Sequence, residues 1–413
     1  DGEGMLQAPD GLPCALLSIN MLNFKIYNDV MGYSEGDALL KAFARILERE
    51  APRPVLVARM LADAFLVLFP YKGKEELVTY CEAYSRALNG FIVSREQNYQ
   101  LELRSGICCV EDSDASDINS LLDRANMALK TIKVKGAAQW KFYDHTMRDK
   151  LLREKDLEIR MEKALADGEF LVYIQPKYWV GTRALAGGEA LVRWKSPDQG
   201  FLSPGEFIPL FEKNRFIVKL DQFMFTSVCG LLRQWLDAGI EPRPLSVNVS
   251  RMQFHTPDFV ERYIRIKSQY AIPDGLLELE FTESIFFDNV ALLSSAVHEL
   301  RRAGIKCSID DFGAGYSSLN VLKALPVSVL KLDGMFFRTA KDDEQAKIVI
   351  RNIMRMAGEL KMATVAEGVE THEQVAFLET TGCDIIQGYV FARPMPAAEF
   401  TELLAGEGGH AER

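Results

Sequence analysis

Carboxylates, an asparagine, a lysine and a glutamine recur through the second half of this chain at the ends of short apolar runs. They are Glu189, Asn248, Glu280, Asp310 with Asp311, Lys331, Glu367 and Gln387. Any one of these acids alone would read as a solvated loop residue or a helix N-cap. Independent surface residues, however, have no reason to recur at the same end of run after run. Carboxylates gathered at one place repel and raise one another's pKa unless a cation neutralises them. Oxygen donors of this kind suit Mg²⁺ or Mn²⁺, whereas zinc calls for thiolate or imidazole ligands. The adjacent Asp310 and Asp311 can serve two ions, and two ions about 4 Å apart clamp a phosphodiester, activate water and stabilise the leaving oxyanion. Lys331 lies in VSVLKLD, an otherwise buried run, which weakens the alternative of a surface lysine capping a loop.

The elements that must position these residues follow from the runs themselves. AGGEALVRW, LSVNVS, LELEFTE, KCSIDDF, VSVLKLD, ATVAEGV and IIQG have the length and β-branched content of buried strands and alternate with helix-compatible stretches. This pattern predicts a (β/α) barrel over residues 168–405, whose strand C-termini converge on one face. Ahead of it, residues 1–144 alternate ALLSI, PVLVARM, AFLVLFP and LELRSGICCV with amphipathic stretches such as EGDALLKAFARILERE, which predicts a compact α/β domain. Residues 145–167 are rich in Leu, Met, Glu, Lys and Arg and read as a connecting helix. Residues 406–413 have the composition of a frayed tail.

With 413 residues the chain is long enough for two domains, and its apolar and charged fractions are ordinary for a globular protein. A net charge of −10 argues against a DNA-binding surface, since phosphate backbones attract clustered Lys and Arg. An anionic substrate would then need help from metal. The seven cysteines are odd in number and show no metal-ligand spacing, so they read as reduced, buried packing residues. The five histidines show no zinc-site spacing. No apolar run approaches membrane-spanning length and no signal-peptide pattern is present. The expectation is a cytoplasmic protein, or, since the chain begins at Asp1 rather than Met, the cytoplasmic part of a longer sensor- or membrane-linked one.

At these residues the second half resembles the EAL family of cyclic di-GMP phosphodiesterases. The matching pieces are YIQPK (173–177), EALVRW (189–194), PGEFIPL (204–210), VNVS (247–250), EFTES (280–284), DDFGAGYSSL (310–319), KLD (331–333), AEGVET (366–371) and QGYVFARPMP (387–396). The resemblance implies a TIM-like (β/α)8-type barrel that hydrolyses cyclic di-GMP to 5′-pGpG with two Mg²⁺ or Mn²⁺ ions. It implies metal binding by Glu189, Asn248, Glu280, Asp310, Asp311 and Glu367, and orientation of the attacking water by Lys331. Glu283 and Gln387 match positions that support the loop after Asp311 and the water network. Gln175, Leu191, Arg193 and Asp333 match substrate-contacting positions, and Tyr316 is available to hydrogen-bond the ligand. Two departures stand out: Ala314 where Thr is usual, and Gly334 where Ser is common. Neither removes a metal ligand; both bear on loop dynamics and turnover.

The first half is similar to GGDEF, or diguanylate cyclase, domains. The similarity rests on NFKIYNDVMGYSEGDALL (23–40) and ARMLADAFLVLFP (58–70), and it implies a cyclase-like fold with a central, mainly antiparallel sheet. The signature is broken, because Leu61-Ala62-Asp63-Ala64-Phe65 replaces Gly-Gly-Asp/Glu-Glu-Phe, and Asn20 stands where a metal-binding Asp is expected. Loss of both glycines blocks close approach to phosphate, and Ala64 cannot bind metal. The product-inhibition Arg-x-x-Asp is also absent, with Pro52 and Val55 at its ends. Asn28 and Asp37 match guanine-reading positions and Lys133 a phosphate-contacting one, while Gln139 replaces an Arg. Two readings stand side by side: a vestigial packing or dimerisation domain, and a regulatory domain that binds GTP.

The functional expectation is a metal-dependent cyclic di-GMP phosphodiesterase with a degenerate cyclase domain. The rival is a catalytically silent cyclic di-GMP receptor; such receptors lose metal ligands or the Glu of EAL, and here the set is complete. The resemblance also implies a homodimer through the EAL domain.

Overall fold

The computed structural model describes residues 11–50, 56–95, 101–111, 117–132, 139–283, 285, 290–313, 326–339 and 343–408. The chain divides into two compact units, Asp1–Asp156 and Leu157–Arg413.

In the first unit, strands β1 (Cys14–Met21), β2 (Leu56–Arg59), β3 (Ala64–Pro70), β4 (Leu103–Cys109) and β5 (Trp140–Phe142) form one sheet in the order β2-β3-β1-β4-β5. Among the described residues only the β4–β5 pairing is parallel, so the sheet is mainly antiparallel, as expected. The central β1 reads CALLSINM because both of its faces are covered. Ala15, Leu17, Ile19 and Met21 enter a core shared with helices α1 (Phe24–Met31), α2 (Tyr33–Glu50) and α3 (Lys74–Ser94). Cys14 and Leu16 enter a second core with α4 (Ile118–Lys130). The period-two alternation of a strand thus feeds two hydrophobic layers.

Helix α5 (His145–Ala166) runs through the division between the units. Within the second unit its Leu157 and Ala164 are buried in a cluster with Phe170, Trp194, Phe207 and Phe211. The strands that follow are β6 (Phe170–Trp179), β7 (Leu185–Ser196), β8 (Gly200–Leu202), β9 (Leu245–Asn248), β10 (Leu277–Thr282), β11 (Ile305–Phe312), β12 (Val329–Leu332), β13 (Ala363–Ala366), β14 (Ile385–Gln387) and β15 (Met395–Pro396). Among the described residues, β6, β7, β9, β10, β11, β12, β13 and β14 close into an eight-stranded barrel, because β6 pairs with both β7 and β14. Within the barrel the pairings that link β7 and β9 to β14 are parallel, and of these eight strands β6 alone runs against its neighbours. The predicted strand runs coincide with β7 and β9 to β14, which puts their C-terminal ends at one mouth. Leu279, Phe281, Ile309, Leu330, Leu332 and Ile386 are buried in the main core of this unit, which explains the near-continuous apolar runs.

All seven cysteines are buried as reduced thiols outside any disulfide. Burial pushes the thiols of Cys81, Cys229 and Cys383 up to about 12, in keeping with packing rather than nucleophilic roles. No helix among the described residues is long and apolar enough to cross a membrane.

Candidate active site

Strand order gathers the predicted acids around one ammonium. Lys331, on β12, is fully buried. Its Nζ lies 2.5 Å from Glu280 Oε2, 2.6 Å from Glu367 Oε1, 3.0 Å from Asp310 Oδ1 and 3.4 Å from Glu189 Oε2. Glu189 is also held by two amides: Asn248 Nδ2 donates to its Oε1 at 2.6 Å and Gln387 Nε2 to its Oε2 at 2.6 Å. Gln387 Nε2 lies 3.1 Å from Gln175 Oε1 as well, which brings Gln175 to the same group.

Consecutive residues in a strand point to opposite faces, so Asp310 and Asp311 could not share a site on regular β11. A register shift between Ile309 and Phe312 and a φ of 55° at Asp311 break the alternation. Asp310, Asp311 and Glu367 each offer a carboxylate oxygen, and these atoms lie within 4.8 Å of one another. Beyond the acids, Glu283 accepts from the Gly313 amide at 3.2 Å, and Asp333 Oδ1 accepts from the Met335 amide at 2.7 Å. A Cβ on Gly334 would stand 3.2 Å from Gly368 Cα and 3.3 Å from Glu367 O, so a side chain there would crowd the Glu367 loop.

The electrostatics of the group are those of a cation site. Five carboxylates (Glu189, Glu280, Asp310, Asp311, Glu367) face two buried ammonium groups, Lys177 and Lys331, a formal excess of three negative charges when all five are ionised. Burial, reinforced by neighbouring acids, raises the pKa of Glu189, Asp311 and, strongly, Glu367. Glu280 is the exception: burial would raise it too, but the two lysines hold it at about 2. Lys331 is kept charged, since its four acids outweigh the burial that opposes an ammonium. A hard divalent cation would relieve the excess charge, and the donor set is all oxygen, so these residues fit Mg²⁺ or Mn²⁺.

Leu191 and Arg193 line a cavity of about 400 Å³ together with Asn248, Ser250, Asp221 and Glu212. The Arg193 guanidinium lies over the Tyr173 ring at 5.6 Å. Tyr316 and Ala314 fall outside the described residues, as do Lys133, Pro52 and Val55 of the first unit.

In the first unit the two substituted metal positions, Asn20 and Ala64, are direct cross-strand partners. An amide and a methyl therefore face each other where the resemblance expects carboxylates. The hairpin keeps its shape without glycine: Ala62 sits at φ 51°, a left-handed conformation costing an L-residue about 1–2 kcal/mol. Asn28 Oδ1 is buried with no hydrogen-bond partner, and Gly36 lies against it, so Asn28 neighbours the residue that precedes Asp37.

Sequence reasoning missed Lys177, which is 6% exposed and donates to Glu280 Oε1 at 2.9 Å. The criterion that picked out Lys331, a charge inside a buried apolar run, applies equally to YIQPK. It also missed Asp221 on the helix Ile217–Asp237, a buried carboxylate that accepts from Ser250 N and Gln253 Nε2. Nothing in the local pattern of that helix marks an acid as inward-facing.

The EAL domain family matches residues 159–394, and the diguanylate cyclase, GGDEF domain family matches residues 4–139. Cyclic di-GMP phosphodiesterase PA2567 of Pseudomonas aeruginosa is 32% identical over 98% of this chain and 67% of its own length. The bifunctional diguanylate cyclase/cyclic di-GMP phosphodiesterase MucR of the same species is 30% identical over 95% of this chain and 57% of its own. Among solved structures, the PaMucR phosphodiesterase in complex with c-di-GMP superposes with a TM-score of 0.56 at 35% identity, covering 59% of this chain and 99% of that one. The chain spans about half the length of several curated relatives that it matches.

Proposed function

This chain belongs to the EAL domain family, with a GGDEF domain ahead of its barrel, and we propose that the barrel hydrolyses cyclic di-GMP to 5′-pGpG. The observation that carries this reading is the complete acid set around Lys331, with negative charge in excess. Asp310, Asp311 and Glu367, together with Glu189, Asn248 and Glu280, would hold divalent cations, Mg²⁺ or Mn²⁺. When bound, such ions supply Lewis acidity and make water nucleophilic at neutral pH.

The chain's own residues then position and screen. Water adds to phosphorus, the bond to the ribose 3′-oxygen breaks, and that oxygen leaves with a proton, giving a linear dinucleotide with a 5′-phosphate. Lys331, held as an ammonium, has no lone pair to take the water's proton, so its part is to donate N–H and orient the water oxygen. Gln387 and Asn248 fix Glu189 through both of its oxygens, which leaves little rotational freedom beside the reacting phosphate. Glu283 steadies the backbone after Asp311 through the Gly313 amide. Gln175, Leu191, Arg193 and Asp333 would contact the substrate, with Tyr316 added on the ground of the resemblance. Incubation of purified protein with cyclic di-GMP and Mg²⁺ or Mn²⁺, followed by product chromatography, should yield 5′-pGpG. Unchanged substrate with measurable binding would establish the silent-receptor reading instead.

For the first unit, the unpartnered buried Asn28 Oδ1 favours a nucleotide-binding role over pure packing. On this reading the domain makes no cyclic di-GMP, because Asn20 and Ala64 supply no metal carboxylate, and GTP at Asn28 and Asp37 tunes the phosphodiesterase. A homodimer through the EAL domain belongs to the same proposal, and sedimentation at micromolar concentration checks it.

A further inference from the structure

We infer that Lys177 is a positioning residue for the metal site, fixing one oxygen of Glu280 from inside the barrel so that this acid meets its other partners in a single orientation. The inference rests on the reading of Glu280 as a metal-holding residue.

The position follows from strand direction. Because β6 runs against its neighbours, each step forward along it goes deeper into the barrel: Gln175 is in register with Glu189, and Lys177 with Gly187, two residues before that acid on β7. Lys177 is thereby placed beneath the acids rather than among them. Its Nζ donates to Glu280 Oε1 at 2.9 Å and to Ser246 Oγ at 2.7 Å, while Lys331 takes Glu280 Oε2 at 2.5 Å. Both oxygens of the Glu280 carboxylate are thus assigned, one to each lysine. Ser246 precedes Asn248 by two residues on β9, and its hydroxyl lies 3.4 Å from Gly188 O, next to Glu189. One ammonium therefore ties together the strands that carry Asn248 and Glu280.

Its acidic neighbour Glu278 cannot replace it. On the far side of Lys177 lies a cavity of about 120 Å³ lined also by Ser246, Glu278 and Lys306. Glu278 Oε1 is buried there without a hydrogen-bond partner, and as an acid it could only repel Glu280. Stability alone does not call for this pair, since replacing both partners of a buried ion pair by apolar residues of similar volume is often neutral or stabilising.

The test is Lys177→Met, measured against the parent by calorimetric Mn²⁺ titration without substrate, by kcat and KM for cyclic di-GMP, and by thermal unfolding. Coulomb's law alone predicts tighter Mn²⁺ binding once a positive charge is removed from beside the acids. Loss of positioning predicts the opposite: affinity about 10–100-fold weaker and a comparable fall in kcat, the usual effect of removing an outer partner of a metal ligand. KM should stay close to the parent's, while the unfolding midpoint should fall, because Glu280 loses one partner of a buried pair. Mn²⁺ affinity unchanged or tighter would overturn the inference. Should Lys177→Met fail to fold, Ser246→Ala decides in the same way, with weaker Mn²⁺ binding expected and parental affinity counting against. A parent protein that binds no Mn²⁺ would instead sink the phosphodiesterase reading itself.

Discussion

Lys331 Nζ stands 2.6 Å from Glu367 Oε1, although the two residues sit at the ends of different strands, β12 and β13, and neither side chain is more than 16% exposed. Burial at this depth makes each depend on the other. Removing one partner of a buried pair strands the other and costs about 3–5 kcal/mol.

Lys331→Met should therefore abolish detectable turnover, with kcat/KM lower by at least about 10²-fold, the scale of losing one preorganised donor. Glu189→Ala should do the same, since it removes the acceptor shared by Asn248, Gln387 and Lys331. Steady-state assay of either variant near the parent rate would refute the assigned roles.

Chelation should stop hydrolysis, and added Mg²⁺ or Mn²⁺ should restore it. A bound ion also stabilises the fold, by about 2.7 kcal/mol at a hundredfold excess over Kd. The unfolding midpoint should accordingly rise with metal in the parent and much less in Asp311→Asn, which loses a carboxylate of the acid triad. Differential scanning fluorimetry across a metal series reads this directly.

Asp221 gives a pH signature outside the acid cluster. Burial lifts its carboxyl to about 7, against the lowering effect of its hydrogen bonds from Ser250 and Gln253. A carboxyl raised on folding binds its proton more tightly in the native state, so its contribution to stability is full below the unfolded pKa near 4 and is lost as pH rises through 7. Over that window the protein should lose up to roughly 4 kcal/mol from this group at about 1.4 kcal/mol per unit. Asp221→Asn should flatten the fall between pH 4 and 7; urea unfolding at several pH values that kept the parent slope would contradict it.

A methyl at Gly36 would stand 1.8 Å from Asn28 Oδ1. If GTP is read at Asn28, Gly36→Ala should weaken GTP binding by about tenfold or more, the equivalent of one hydrogen bond at about 1.4 kcal/mol. Calorimetry on the parent comes first: no GTP binding, together with no change in phosphodiesterase rate on adding GTP, leaves the packing reading.

Much of this protein was legible in the amino-acid order. Buried strands with acids at their ends recur at fixed places in the pattern, so β7, β9 and β10 to β14 could be read from burial period alone, and the acids on them from their incompatibility with an apolar run. The departure from the cyclase signature was equally plain, because Asn20 and Ala64 supply no carboxylate whatever their geometry. That these two residues face each other across β1 and β3 needed the sheet register.

Tertiary structure decided what local pattern cannot encode. A strand's direction is set by its partners, and it is the reversal of β6 that carries Lys177 beneath Glu280 instead of to the mouth. Likewise the shift in β11 that lets Asp310 and Asp311 serve one place depends on pairing with β12. Which acid stays ionised also depends on distance rather than type: Glu280, between two lysines, falls to about 2, while Glu367, with one lysine, rises. Residue types determined that the barrel gathers acids needing cations. Only closure of the barrel fixed which lysine touches which oxygen, because Coulomb energy in a buried site depends on separations of a few ångströms that no sequence spacing specifies.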